Sequence, residues 1–185
     1  MSINIKSECK NSKFLFICHY DVNGLSEVID HIHMIASNLS FYTDIINVQL
    51  DNNEYLMLSN SINLDNYVGV IIHPSVSYSP INLDHIDDNL HLKLKDFKGI
   101  KILIKQDEHV HTHYTARLIG EKKFDLVLTC LPENEIEKAY PLSLTGSVTY
   151  LQTYTSYVSP GLKTLKNKLW EERKIDIAYR GSIQP

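Results

Sequence analysis

The densest run of chemically capable side chains is Lys105, Gln106, Asp107, Glu108, His109, Val110, His111, Thr112 and His113. Alternating histidines on an extended segment can present three imidazoles to one side, a donor set suited to zinc, nickel or iron, and Asp107 and Glu108 could add oxygen ligands. No HExxH or CxxC motif supplies a second group of ligands, so the run is expected to hold no metal and to need no cofactor. It is left as a histidine-rich surface loop or a substrate-binding loop.

Further polar residues stand where apolar runs end. His19, Tyr20 and Asp21 follow one such run, with Gly24 close behind. His73, Ser75 and Tyr78 follow another, and Thr129 ends a third. Arg180 could bind phosphate or pair with a carboxylate.

Several chemistries lack their signatures. The segment after the first apolar run has one glycine where a dinucleotide fingerprint needs three. No GxxxxGK[ST] loop and no GxSxG elbow occurs, which argues against an NTPase and an α/β-hydrolase. A phospho-receiver would need an aspartate where His73 and Pro74 end the third run.

The elements that must position these residues can be read from periodicity. Lys13–Tyr20, Asp44–Leu50, Tyr67–His73, Ile100–Lys105 and Asp125–Leu131 read as strands, and the continuous apolar runs among them suit a sheet covered on both faces. Val148–Tyr154 alternates and is expected nearer an edge, and Ile175–Tyr179 reads as a last strand. Leu25, Val28, Ile29, Ile32, Ile35, Ala36 and Leu39 recur at helical spacing. Helices are also expected over Leu83–Phe97, Tyr114–Lys122, Pro132–Pro141 and Leu162–Arg173, the last carrying Trp170 as a packing residue. Strands alternating with helices give an α/β class with a Rossmann-like, mostly parallel sheet and helices on both faces. In such sheets ligands bind outside the carboxyl ends of the strands, where these polar residues gather.

Composition narrows the partners. The 185 residues suffice for one well-cored domain, expected to span 1–185. A net charge of -4 and the lack of a basic run give no basis for a nucleic-acid partner. Cys9, Cys18 and Cys130 form no disulfide framework, which favours a reducing, cytoplasmic setting. The amino terminus has no apolar signal core and no stretch is long enough to span a bilayer. Peripheral association with the inner face of a membrane stays open.

Four segments resemble the N-terminal half of bacterial GT-B-type glycosyltransferases of the family-1-like, capsule and O-antigen kind. They are Val70–Val76, Lys101–Glu108 with its QDE ending, Phe124–Pro132 with Ile136–Pro141 behind it, and Ile175–Gly181. The resemblance implies one half of a two-domain architecture, shaping the acceptor side, with the donor-binding C-terminal domain absent from this chain. It implies a nucleotide-sugar donor bound mainly by that missing domain, and a glycan or lipid-linked acceptor, in surface polysaccharide biosynthesis. Within it, Asp107, Glu108, His109 and His19 become candidates for a catalytic base. Tyr20, Gly24, His73, Tyr78, Gln106, Thr129 and Arg180 become candidates for substrate binding. The 185 residues alone are then expected to be inactive. The alternatives are a non-catalytic Rossmann-like binding or regulatory domain and, behind it, a metal-dependent hydrolase built on His109, His111 and His113.

Overall fold

Strand β1 (Lys13–Cys18) is buried after its first residue because it lies inside a sheet with neighbours on both edges. The computed structural model of the protein describes residues 13–24, 26–51, 55–58, 62–154, 166 and 169–175. The chain divides into two units, Met1–Thr155 and Ser156–Pro185.

In the first unit, helix α1 (Ser26–Asn38) follows β1 and buries Ile32, with Val28, Ile35 and Ala36 packed beside it. Strand β2 (Tyr42–Asn47) then pairs with β1 in parallel. The strand expected over Asp44–Leu50 is thus split. The Val48 N–H donates to the Cys18 carbonyl at 2.8 Å, and beyond it β3 (Gln49–Leu50) pairs antiparallel with β4 (Leu56–Met57) in a separate ribbon. The chain returns through β5 (Gly69–Ile72), on the other side of β1.

Two helices follow, α2 (Pro74–Ser77) and α3 (Pro80–Asn89), each opened by a proline in its first turn. The helix expected over Leu83–Phe97 therefore begins earlier and stops at Asn89. The Asp87 carboxylate accepts the Leu94 N–H at 2.7 Å, a side-chain bond that replaces a further helical turn. Strand β6 (Ile100–Ile104), helix α4 (Thr112–Glu121) and strand β7 (Leu126–Thr129) come next. Pro132 and Pro141 each cap a short helix, α5 (Glu133–Ala139) and α6 (Leu142–Thr145). Strand β8 (Thr149–Gln152) closes the sheet at its edge, as its alternating pattern leads one to expect.

The result is an α/β, Rossmann-like sheet of six parallel strands in the order β2-β1-β5-β6-β7-β8. One face buries Leu15, Ile17, Val70, Ile72, Leu103 and Val127 together with residues of α3 and α4. The other buries Phe14, Phe16, Ile71 and Ile104 under α1. Close packing requires glycine twice. A Cβ on Gly69 would stand 2.3 Å from the Phe14 ring and 2.9 Å from the Ile100 carbonyl oxygen, and one on Gly120 would stand 2.1 Å from the Leu144 carbonyl oxygen.

In the second unit the helix expected over Leu162–Arg173 needs correction where residues are described. Lys166 and Leu169 carry no regular structure, and Trp170–Glu172 form one 3-10 turn, with the Arg173 guanidinium over the Trp170 ring. The Glu172 carboxylate accepts the Leu169 N–H at 3.1 Å, a reach-back that opens this turn. Ile175 has no strand structure, and the rest of the expected Ile175–Tyr179 strand and Arg180 lie outside the described residues. Among the described residues no helix is long and apolar enough to cross a membrane.

A buried ion cluster ties α3 to α4. Lys122 Nζ lies 2.7 Å from Asp84 and 2.9 Å from Asp87, and Tyr114 donates its hydroxyl to Asp84. Burial pulls the Lys122 pKa down, but hydrogen bonds from its ammonium to Asp84 and Asp87 outweigh it, and the net shift is upward. Removing one partner of such a group strands the other charge. Lys122→Met is therefore expected to lower the unfolding free energy by about 3 kcal/mol in urea denaturation. A loss below about 1 kcal/mol would show the cluster to be no stronger than a surface pair.

Candidate functional site

The order of strands reverses between β1 and β5, and a crevice outside their carboxyl ends is where open parallel sheets place ligands. His19 and Tyr20 leave β1 there. The Tyr20 N–H donates to Asn47 Oδ1, and Asn47 Nδ2 donates back to the Tyr20 carbonyl, both at 2.9 Å, so the exit from β1 is clamped to the end of β2. His19 Nδ1 stands 2.7 Å from the Val48 carbonyl. A carbonyl only accepts, so Nδ1 carries the proton.

A chain of side-chain bonds links His19 to β5 and α1. The His19 N–H donates to Ser75 Oγ at 2.9 Å, and Ser75 Oγ lies 2.8 Å from His73 Nδ1. The Ser75 N–H also donates to His73 Nδ1, at 3.1 Å, which makes His73 the cap of α2. Nδ1 is thus an acceptor, and it takes the Ser75 hydroxyl proton as well. His73 is 3% exposed, and burial, with a smaller push from His31, lowers its pKa to about 3. The neutral ring keeps its proton on Nε2, which donates to His31 Nδ1 at 3.2 Å. His31 sits on α1, and burial lowers its pKa too.

A second group gathers where β6 and β7 end. Lys105 is buried, and its ammonium donates to the Ser77 carbonyl at 2.6 Å. Burial lowers its pKa to about 8, with Glu108 and Asp107 opposing the shift. Asp107 and His111 adopt left-handed backbone conformations, φ 57° and 53°, an uncommon conformation for residues with side chains. Between them Glu108 turns inward. Glu108 Oε1 accepts the Thr129 hydroxyl at 2.5 Å and the Cys130 N–H at 2.9 Å, while Thr129 Oγ1 accepts the Leu131 N–H. The Thr112 hydroxyl donates to the Glu108 carbonyl. Glu108 Oε2 accepts no hydrogen bond among the described residues.

A pocket of about 170 Å³ opens beside this group, between α1 and the ends of β6, β7 and β8. Met34, Ile35, Ile104 and Leu128 form its apolar lining, and His31, Gln106, Cys130 and Thr153 supply polar edges. Burial first, then the carboxylates of Glu108 and Asp107, raise the Cys130 pKa and keep it a thiol.

The expected site residues thus divide. His19 and His73 come together through Ser75, Glu108 meets Thr129, and Gln106 reaches the pocket. Thr129 is fully buried against Glu108. Asp107 and His109 are exposed, Tyr78 is a half-exposed cap of α2, and the Gly24 N–H closes a turn on the Asp21 carbonyl. Arg180 lies outside the described residues. His109, His111 and His113 do not assemble: among the described residues no three His, Cys, Asp or Glu side chains are placed to hold a metal ion. Sequence reasoning missed His31, Met34 and Thr153. His31 is one polar position of an amphipathic helix, 42 residues from the histidine it meets, and nothing in its neighbourhood marks it. Comparison with family models, with curated proteins and with solved structures finds no match to this chain.

The two linked imidazoles give a pH dependence. Their folded pKa values lie below the ordinary 6.5, so the unfolded chain takes up protons first. Their contribution is complete above pH 6.5 and is lost as pH falls toward about 3. His73→Phe is expected to flatten the slope of stability against pH below 6.5 by about one proton, ~1.4 kcal/mol per pH unit. An unchanged slope, measured by urea unfolding at several pH values, would show that His73 is not neutral at pH 6.

Proposed function

We propose that this chain is the acceptor-side domain of a glycosyltransferase, which moves a sugar from a nucleotide-sugar donor to a glycan or lipid-linked acceptor in surface polysaccharide biosynthesis. The GT-B architecture, with a donor-binding domain outside these residues, belongs to the same proposal. The observation that carries it is the turn at Gln106, Asp107 and Glu108. It places one buried carboxylate at the strand ends, held through a single oxygen by Thr129 and Cys130; Glu108 does not itself line the pocket, which Gln106 and Cys130 border.

The chemistry follows from that geometry. In a direct displacement the acceptor hydroxyl gives its proton to Glu108 Oε2 as its oxygen bonds to the anomeric carbon. The bond from that carbon to the nucleotide diphosphate breaks, and the leaving group takes the electron pair. Glu108 is favoured over the exposed Asp107 and His109 because a positioned base needs a fixed distance to the proton it removes. The domain has no glycine-rich phosphate loop after β1, which suits the acceptor side of such an enzyme.

The test is turnover of a nucleotide-sugar panel by the chain extended beyond Pro185, with and without chelator. Glu108→Gln keeps an oxygen to accept from Thr129 and Cys130 but removes the base. It is expected to lower kcat by about 10²- to 10⁴-fold with the fold intact. Asp107→Asn and His109→Ala are expected to change kcat by less than about tenfold, since neither side chain is held in place. Full activity in Glu108→Gln would remove the proton-accepting role. No turnover and no nucleotide binding by a well-folded extended chain would favour a non-catalytic binding domain.

A further inference from the structure

We propose that the pocket between α1 and the carboxyl ends of β6, β7 and β8 is a binding site for one apolar, preferably aromatic, ring. Assigning that ring to the hydrophobic part of the acceptor rests on the glycosyltransferase reading; the pocket's preference does not.

The size is decisive first. A closed cavity of about 150 Å³ lined by aliphatic side chains takes up benzene, and this pocket, open on one side, has room for a ring of that size in about 170 Å³. The lining decides the chemistry. Ile104 is 6% exposed, and Met34, Ile35 and Leu128 stand around it. A bare sugar ring carries a hydroxyl on nearly every carbon, and against these four side chains most of those hydroxyls would lose water without gaining a partner. An apolar ring loses nothing there.

Two sulfurs refine the class. Met34 and Cys130 both line the pocket, and thioether and thiol sulfur make favourable contacts with aromatic rings. Cys130 stays a neutral thiol, so the wall carries no thiolate to repel a ring face. The one cation on the lining, Lys105, is committed to the Ser77 carbonyl. Gln106, at the polar edge, would meet an oxygen substituent on the ring, so the ligand is an aryl group with an attached oxygen, as in an aryl glycoside.

The experiment titrates the chain with para-nitrophenyl glucoside and with methyl glucoside, following methyl NMR signals of Met34, Ile35, Ile104 and Leu128. The aryl glucoside is expected to bind at least about tenfold more tightly, a difference of ~1.4 kcal/mol, and to shift those four methyl signals. Met34→Trp, which fills the pocket from the helix side, is expected to abolish the preference. Cys130→Phe fills it from the strand side and serves if the first variant does not fold. Equal affinities, no binding, shifts confined to other methyls, or a preference that survives both variants would each overturn the proposal. Aryl binding without sugar transfer by the extended chain would keep the pocket and remove the glycosyltransferase reading. Transfer without aryl preference would do the reverse.

Discussion

A buried imidazole that must stay uncharged holds the site end of this fold together. His73 joins three elements at once: its Nδ1 caps α2 and receives the Ser75 hydroxyl, while its Nε2–H reaches α1 through His31. Every one of these bonds assumes the same protonation state. A second proton on the ring would set an N–H against the Ser75 N–H, in a place with too little water to screen the conflict. The point where the strand order reverses, normally the loosest part of an open sheet, is therefore pinned from behind. That pinning also fixes which way His31 faces on α1, and through it one wall of the pocket.

The loop after β6 is set by strain as well as by burial. Left-handed backbone at Asp107 and His111 brackets the loop after β6, and each such residue costs about 1–2 kcal/mol. The return is a carboxylate facing inward. Glu108 ties the start of that loop to Thr129 and Cys130 at the end of the neighbouring strand. Backbone bonds from Val110 to the Asp107 carbonyl and from Thr115 to the His111 carbonyl hold the same loop. Strain of this kind offset by buried hydrogen bonds is what a site needs if its carboxylate is to keep a fixed position.

Periodicity made the sheet legible and left half of the site invisible. The apolar runs of β1, β5, β6 and β7 are continuous because both faces of the sheet are covered, and that pattern does not depend on distant residues. The misplaced boundaries come from local hydrogen bonds that periodicity does not encode. Asp87 takes the Leu94 N–H just past the end of α3, and the Leu169 N–H reaches Glu172 to open a single turn at Trp170 inside the expected helix. The same limit hid His31 and Met34. They look like ordinary positions of an amphipathic helix until the fold sets them opposite β6 and β7. The Glu108 motif could be read, but its partner Thr129 was legible only as a strand end, and its role there is to hold Glu108.

Register converts these local facts into one arrangement. Ile104 and Leu128 are directly opposed on β6 and β7, and the Lys105 N–H donates to the Leu128 carbonyl. Successive residues of a strand face opposite sides. Ile104 and Leu128 therefore face α1 and line the pocket, whereas the side chains of Lys105 and Thr129, one residue later, reach Ser77 and Glu108, and Lys105 also borders the pocket. A slip of one residue in this pair of strands would exchange the two sets. It would take the Lys105 ammonium from the Ser77 carbonyl and leave Glu108 without its clip. Pocket and carboxylate are thus tied to the same two adjacent pairs of strand-end positions, Ile104–Lys105 and Leu128–Thr129, and a slip in register disturbs both.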